Sequence, residues 1–92
     1  MIKSFKHKGL ERLFTKGSAS GVLSAYAERI ILALDAIDAA EQVSDLDIPG
    51  FRLHRLKGDK RNLRSVRVSV NWRITFEFEN GNAYILDLED YH

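Results

Sequence analysis

Two histidines in the second half of the chain have the side chain needed to move protons at neutral pH. His54 lies in the basic run LHRLKGD, and His92 is the last residue. An unperturbed imidazole has a pKa of about 6.5, which suits a general base or a general acid. RNA carries its own nucleophile, the 2′-hydroxyl, so a ribonuclease needs only a base, an acid and cations around the phosphate. His54 and His92 are therefore candidate proton-transfer groups, and the alternative for His54 is a surface or capping histidine.

Basic side chains near His54 in the sequence are candidates for holding the phosphate. Lys57 follows in the same run, and Arg67 and Arg73 alternate with apolar residues further along. A guanidinium can bind a phosphate through two parallel hydrogen bonds. The alternatives are a cross-strand ion pair for Arg73 and a solvated basic surface for the cluster as a whole.

The last four residues, Glu89-Asp90-Tyr91-His92, add two more potentially reactive side chains to His92. Asp90 could orient an imidazole, as a carboxylate does in other acid/base sites. Tyr91 could stack on a base, a contact worth roughly 1–3 kcal/mol. The alternative is a polar tail that frays, as chain ends often do.

Charge is divided along the chain although the net charge is only +1. An acidic stretch without basic residues precedes a basic block, which predicts a polarised surface and an anionic partner. The acidic stretch carries Asp35, Asp38, Glu41, Asp45 and Asp47; the basic block carries Arg52, Arg55, Lys57, Lys60, Arg61, Arg64, Arg67 and Arg73.

Composition and motifs argue against a metal or a cofactor. The chain has no cysteine, which excludes disulfides and thiolate zinc sites. Its three histidines are widely spaced, and no phosphate-binding loop, dinucleotide loop or nucleophile elbow occurs. We therefore expect neither metal nor cofactor.

The positions of the apolar residues predict helices first and strands afterward, within one domain covering residues 1–92. A short helix is expected from His7 to Lys16. A second, with Ser24 as its N-cap, should end near Ala40. The apolar stripe of this second helix is Tyr26, Ala27, Ile30, Ile31, Leu34 and Ile37.

The second half alternates apolar and polar residues, which is typical of half-buried antiparallel strands. Strands are expected around 51–54, 65–70, 72–79 and 83–89, with an edge strand at 2–5. Asn80-Gly81 predicts a hairpin turn because both residues tolerate positive φ. The fold class is therefore α+β, with two or three N-terminal helices packed on a small twisted antiparallel sheet. Arg52, His54, Arg67 and Arg73 should share the sheet face away from the helices.

The chain resembles the HigB toxins of the RelE superfamily over nearly its whole length. The resemblance rests on MIKSFKHKGLERLF at the start, on LHRLKGD, SVRVSVNWRITFEF and NGNAY, and on the terminal EDYH. It implies a RelE-like fold and metal-independent cleavage of messenger RNA in the ribosomal A site by 2′-hydroxyl attack. It also implies catalytic roles for His54, Asp90, Tyr91 and His92, and phosphate contacts for Lys57 and Arg73.

The resemblance further implies a HigA-type antitoxin with a helix-turn-helix domain, which would carry the toxin to operator DNA. One departure stands out: many relatives have a glycine near position 62 and an aromatic residue soon after, where this chain has Asn62-Leu63-Arg64. Asn62 tolerates the left-handed conformation, so the turn can survive. RNA stacking is then left to Tyr91.

Two other functions remain open from the sequence. A toxin of the same fold could act by binding, as the ParE-like relatives do on DNA gyrase, or the chain could be a non-catalytic subunit of an autoregulatory repressor complex. No apolar run is long enough to span a bilayer, and the basic N-terminus lacks the apolar region of a signal peptide. We therefore expect a cytoplasmic protein without membrane contact.

Overall fold

A computed structural model describes residues 1–56, 58 and 62–90. Two helices, α1 (Lys8–Lys16) and α2 (Ala27–Ala39), precede four strands. The strands are β1 (His54–Arg55), β2 (Leu63–Arg67), β3 (Trp72–Glu79) and β4 (Asn82–Asp90). They form one antiparallel sheet in the order β1-β2-β3-β4. This arrangement confirms the predicted α+β class.

Both helices lie where the sequence predicts them, although the start of α2 differs. The side chain of His7 caps α1, because its Nδ1 accepts a hydrogen bond of 3.1 Å from the backbone N–H of Leu10. Ser24 does not cap α2. It begins a separate 3-10 turn, Ser24–Tyr26, and the helix follows from Ala27 without a side-chain cap. The prediction of Ser24 as N-cap was wrong because the chain takes one tight turn before the α-helix begins.

The N-terminal half of α1 packs closely on the loop that leads to α2. A Cβ atom added to Gly9 would overlap the carbonyl oxygen of Gly21. A Cβ atom added to Gly21 would lie 2.5 Å from the Cα of Gly9. Glycine at both positions therefore lets the two backbone segments touch.

The sheet follows the predicted alternation in its second half. Asn80 and Gly81 have φ values of 53° and 80°, which confirms the tight hairpin between β3 and β4. The β3–β4 register shifts between Thr75 and Glu77, and Ile85 on β4 has a φ of 51°. A bulge of this kind increases local twist, in line with the predicted twisted sheet.

Three strand predictions need correction. The segment 51–54 is not a strand along its length, because Arg52 has a φ of 49° and β1 begins only at His54. Strand β2 ends at Arg67, where the chain turns so that the N–H groups of Val68 and Ser69 both donate to the carbonyl of Trp72. Residues 2–5 form two isolated parallel bridges to β4 rather than a continuous strand.

The core lies between α2 and one face of the sheet. Helix α2 buries Ile30, Ala33, Leu34 and Ile37, so the predicted stripe is confirmed at its centre, while Ile31 is exposed. The facing sheet residues are buried as well: Val66, Val68, Ile74, Phe76, Ala83 and Leu86. Full burial of a large apolar side chain contributes about 1.5–3 kcal/mol. This packing fixes which sheet face is turned away from the helix.

Among the described residues, none of the helices is both long enough and apolar enough to cross a membrane.

Candidate active site

Strand register places three of the predicted site residues in two neighbouring rows across the sheet. In one row His54 pairs with Ser65, and Ser65 pairs with Thr75. In the next row Arg67 pairs with Arg73, and Arg73 pairs with Glu89. The rows are two residues apart on each strand they share, so their side chains project from the same face. That face is opposite the one on which Val66 and Ile74 enter the core.

A cleft of about 430 Å³ opens on this face. Its lining carries four nitrogen-bearing basic side chains and no carboxylate among the described residues. The lining residues are Arg52, Leu53, His54, Ser65, Arg67, Ser69, Val70, Trp72 and Arg73. A concave site with several cations and one imidazole attracts a polyanion and offers it a proton-transfer group.

Arg67 and Arg73 bring two positive charges together in the cleft. They occupy directly opposed positions on β2 and β3, and both side chains are half-buried. Like charges that face each other across two strands destabilise a sheet. The Nε of Arg67 donates a hydrogen bond of 3.0 Å to the carbonyl of Ser69, which fixes the direction of its guanidinium. An anion bound between the two arginines would relieve their repulsion.

Glu89 lies on the other side of Arg73 and is held in place by a buried hydroxyl. Thr75 is 2% exposed, and its Oγ1 donates a hydrogen bond of 2.7 Å to Oε2 of Glu89. Because Glu89 is paired with Arg73 in register, the ion-pair alternative for Arg73 has a partner at the right position. Arg73 therefore has Arg67 on one side and Glu89 on the other. Of these two neighbours, Arg67 is the one that lines the cleft.

The structure brings together three of the seven predicted site residues. His54, Arg67 and Arg73 line one cleft, and His54 is exposed at its edge. Asp90 ends β4 opposite Trp72, on the same side of the strand as Leu88, and it is not among the residues that line the cleft.

The other three predicted site residues, Lys57, Tyr91 and His92, lie outside the described residues.

Several lining residues were not predicted from the sequence. Trp72 packs against the core and also lines the cleft. Ser65 and Ser69 form part of the cleft wall, and both are buried. The sequence could have predicted the two serines, because Ser65, Arg67 and Ser69 alternate with buried valines. This alternation places the serines on the same sheet face as Arg67.

Within the described part of the chain, no three histidine, aspartate or glutamate side chains are grouped so that they could hold a metal ion. One acidic residue on this sheet face, Glu89, accepts a hydrogen bond from the buried hydroxyl of Thr75.

A helix-covered antiparallel sheet whose other face carries a cationic, histidine-bearing cleft defines an α+β protein suited to a polyanion. Residues 3–92 match the family described as RelE-like toxin of type II toxin–antitoxin system HigB. The chain is 54% identical over its full length, and over the full length of the relative, to "Endoribonuclease HigB" of Proteus vulgaris. It is 32% identical to "Toxin HigB-1" of Vibrio cholerae serotype O1, over 90% of each chain. The chain therefore belongs to the HigB-like toxins, as the sequence resemblance predicts.

Proposed function

We propose that the chain is an endoribonuclease that cuts messenger RNA in the ribosomal A site, without a catalytic metal. The observation that carries this proposal is the cleft in which His54 lies beside Arg67 and Arg73. The name of the Proteus vulgaris relative, an endoribonuclease, supports the same reaction class.

The reaction that these side chains suit is a transfer within the RNA strand. The 2′-hydroxyl oxygen forms a bond to the adjacent phosphorus while a base removes its proton. The bond from phosphorus to the 5′-oxygen breaks, and an acid supplies the proton that this oxygen takes. The products are a 2′,3′-cyclic phosphate and a free 5′-hydroxyl. His54 and His92 share the two proton transfers, each of which typically contributes about 10²–10⁴-fold to the rate.

The remaining predicted residues bind and orient the RNA in this proposal. Arg67 and Arg73, together with Lys57, neutralise the negative charge that builds on the phosphate. Asp90 orients a neighbouring imidazole, and Tyr91 stacks on a base. The like-charged pair of arginines in the cleft supports the phosphate role, because a phosphate offsets their repulsion.

The proposed partners are the ribosome with its messenger RNA and an antitoxin. The ribosome presents the message, and the compartment is the cytoplasm. A type II toxin is paired with an antitoxin. In this proposal the antitoxin is of the HigA type, with a helix-turn-helix domain. It silences the toxin and carries it to operator DNA, which the toxin itself does not contact.

Cleavage of a defined message on programmed ribosomes tests this function. We expect the wild type to cut the message on the ribosome but not free RNA, and we expect His54→Ala and His92→Ala to lose at least about 100-fold in rate. The matched control is His7→Asn, which removes the third imidazole but keeps a side chain that can cap α1. If folded wild type cuts no message while it inhibits DNA supercoiling by gyrase, the proposal is wrong.

A further inference from the structure

A second groove, of about 360 Å³, lies beside the cleft and opens between α2 and the turn after β2. Arg67, Ser69 and Val70 line both spaces, so they form a wall with the cleft on one side and this groove on the other. Residues that line the groove but not the cleft include Arg29 and Leu32 of α2, and Phe51. We call this space the flanking groove.

The charged side chains of the flanking groove are both arginines. Arg29 and Arg67 line it, and none of the lining residues is acidic within the part of the chain that the structure describes. Arg29 extends from α2 toward the turn, where its Nη1 is 3.5 Å from the carbonyl oxygen of Val68. Helix α2 therefore contributes a cation to the same groove as Arg67 of β2, and the positive charge of the cleft continues past the shared wall.

Exposed apolar side chains lie beside these two arginines. Leu32 is 65% exposed and Val70 is 76% exposed, although large apolar side chains are usually buried. Phe51 is half-buried and also lines the groove. A cation beside an exposed apolar surface suits a nucleotide, because the guanidinium meets the phosphate while the flat base packs on apolar and aromatic carbon. Such contacts are tolerant of base identity.

We propose that the flanking groove binds a nucleotide of the same RNA strand whose scissile phosphate lies in the cleft. This inference rests on the proposed function and extends it: the strand crosses the wall at Val70, Arg29 contacts a flanking phosphate, and the base packs against Leu32 and Phe51. RNA is preferred to a protein partner for two reasons: the described lining of the groove has two arginines and no carboxylate, and the groove shares a wall with the cleft.

Affinity for RNA of different lengths tests the flanking groove. The probes are single-stranded 2′-O-methyl oligonucleotides of about three and about eight nucleotides, which lack the attacking hydroxyl and differ in whether they can reach past the cleft. Arg29→Gln and Leu32→Ser are compared with Arg12→Gln and Leu23→Ser. The controls remove the same groups elsewhere: Arg12 is exposed on α1, and Leu23 is 57% exposed.

We expect the wild type to bind the longer oligonucleotide more tightly than the shorter one. Arg29→Gln should weaken the longer one roughly tenfold and leave the shorter one unchanged, since a charged hydrogen bond is lost only there. The slope of log K against log salt should fall in magnitude by about 0.7 for the longer oligonucleotide, which corresponds to one phosphate contact on a single strand. Leu32→Ser should weaken the longer oligonucleotide without changing the slope, and both controls should stay within about twofold of the wild type.

Two kinds of result would overturn the proposal that the flanking groove binds RNA. One is a failure of the expected affinities: either Arg29→Gln binds the longer oligonucleotide as tightly as the wild type does, or the affinity of the wild type does not rise with length. The other is self-association of the wild type that Leu32→Ser abolishes while RNA binding stays the same, which would assign the groove to a second copy of the chain. Either result leaves the proposed function standing if the wild type still cuts message on the ribosome.

Discussion

Replacing Arg73 with glutamine removes one of the two guanidinium groups that face each other across β2 and β3. If both groups stabilise the charge on one phosphate, the loss of either should slow cleavage by about 10²–10³-fold, the range seen when one preorganised donor to a transition-state oxyanion is removed. Arg67→Gln should have an effect of the same order. Because the two share a phosphate, the double variant should lose far less than the product of the single losses.

Folding stability should change little in Arg73→Gln. Arg73 is paired with Arg67 on β2, which repels it, and with Glu89 on β4, which attracts it. Each cross-strand pair changes stability by about 0.2–1 kcal/mol, and these two changes have opposite signs. The two contributions largely cancel, so we expect a net change within about 1 kcal/mol. Activity and stability should therefore separate in this variant.

Single-turnover cleavage on programmed ribosomes and urea denaturation measure the two effects. Arg64→Gln is the matched control, because Arg64 lies on the same strand as Arg67 but pairs with Phe76 and projects toward the opposite face. The reasoning is refuted if Arg73→Gln cuts within about threefold of the wild type. It is also refuted if the double variant loses the full product of both effects.

Three further predictions concern the stability of the fold. Thr75→Val removes the buried bond to Glu89, so the free energy of unfolding in urea should fall by about 1.5–3 kcal/mol; an unchanged value would show that water replaces the hydroxyl. Gly9→Ala should lower the free energy of unfolding by about 1–3 kcal/mol, because the Cβ atom of the alanine would overlap the carbonyl of Gly21. Helix propensity alone would raise the free energy of unfolding by about 1 kcal/mol. Two backbone N–H groups lower the pKa of Asp45, so this carboxylate stabilises the fold above its ordinary pKa of 3.8 and ceases to do so as the pH falls through the native value. Asp45→Ala should therefore melt below the wild type at pH 7, with the difference disappearing in acid; a difference independent of pH would contradict this assignment.

The helices and the longest strands could be predicted because one face of each is buried. A period of about 3.6 residues placed the stripe of α2, and a period of two placed β3 and β4. Asn80-Gly81 fixed the hairpin between these strands through its backbone preference alone. In each of these elements, local propensity and tertiary burial favour the same conformation.

The predictions failed where backbone conformation departs from the apolar pattern. Phe51 and Leu53 alternate with polar residues as strand residues do, yet Arg52 adopts a positive φ, which interrupts the extended conformation between them. Val70 continues the alternation of β2 but belongs to a turn and is exposed. Hydropathy does not report φ, so the sequence pattern could not distinguish these cases.

The site was predictable in its chemistry and less so in its geometry. The sequence placed His54, Arg67 and Arg73 on one sheet face, and they line one cleft. It could not show that Arg67 and Arg73 are directly opposed, because that depends on where the turn between β2 and β3 lies. The half-exposed position of Trp72 likewise depends on the end of the strand rather than on its alternation.

The central claim, that the cleft performs 2′-hydroxyl attack on messenger RNA, is tested most directly by altering one atom of the substrate. Programmed ribosomes would carry either an all-ribose message or the same message with a single 2′-deoxynucleotide on the 5′ side of the cleaved bond. We predict that the wild type cuts the ribose message to a 2′,3′-cyclic phosphate and leaves the deoxy position intact. Equal cleavage of both messages would contradict the account, because a nucleophile other than the 2′-hydroxyl would then have to attack.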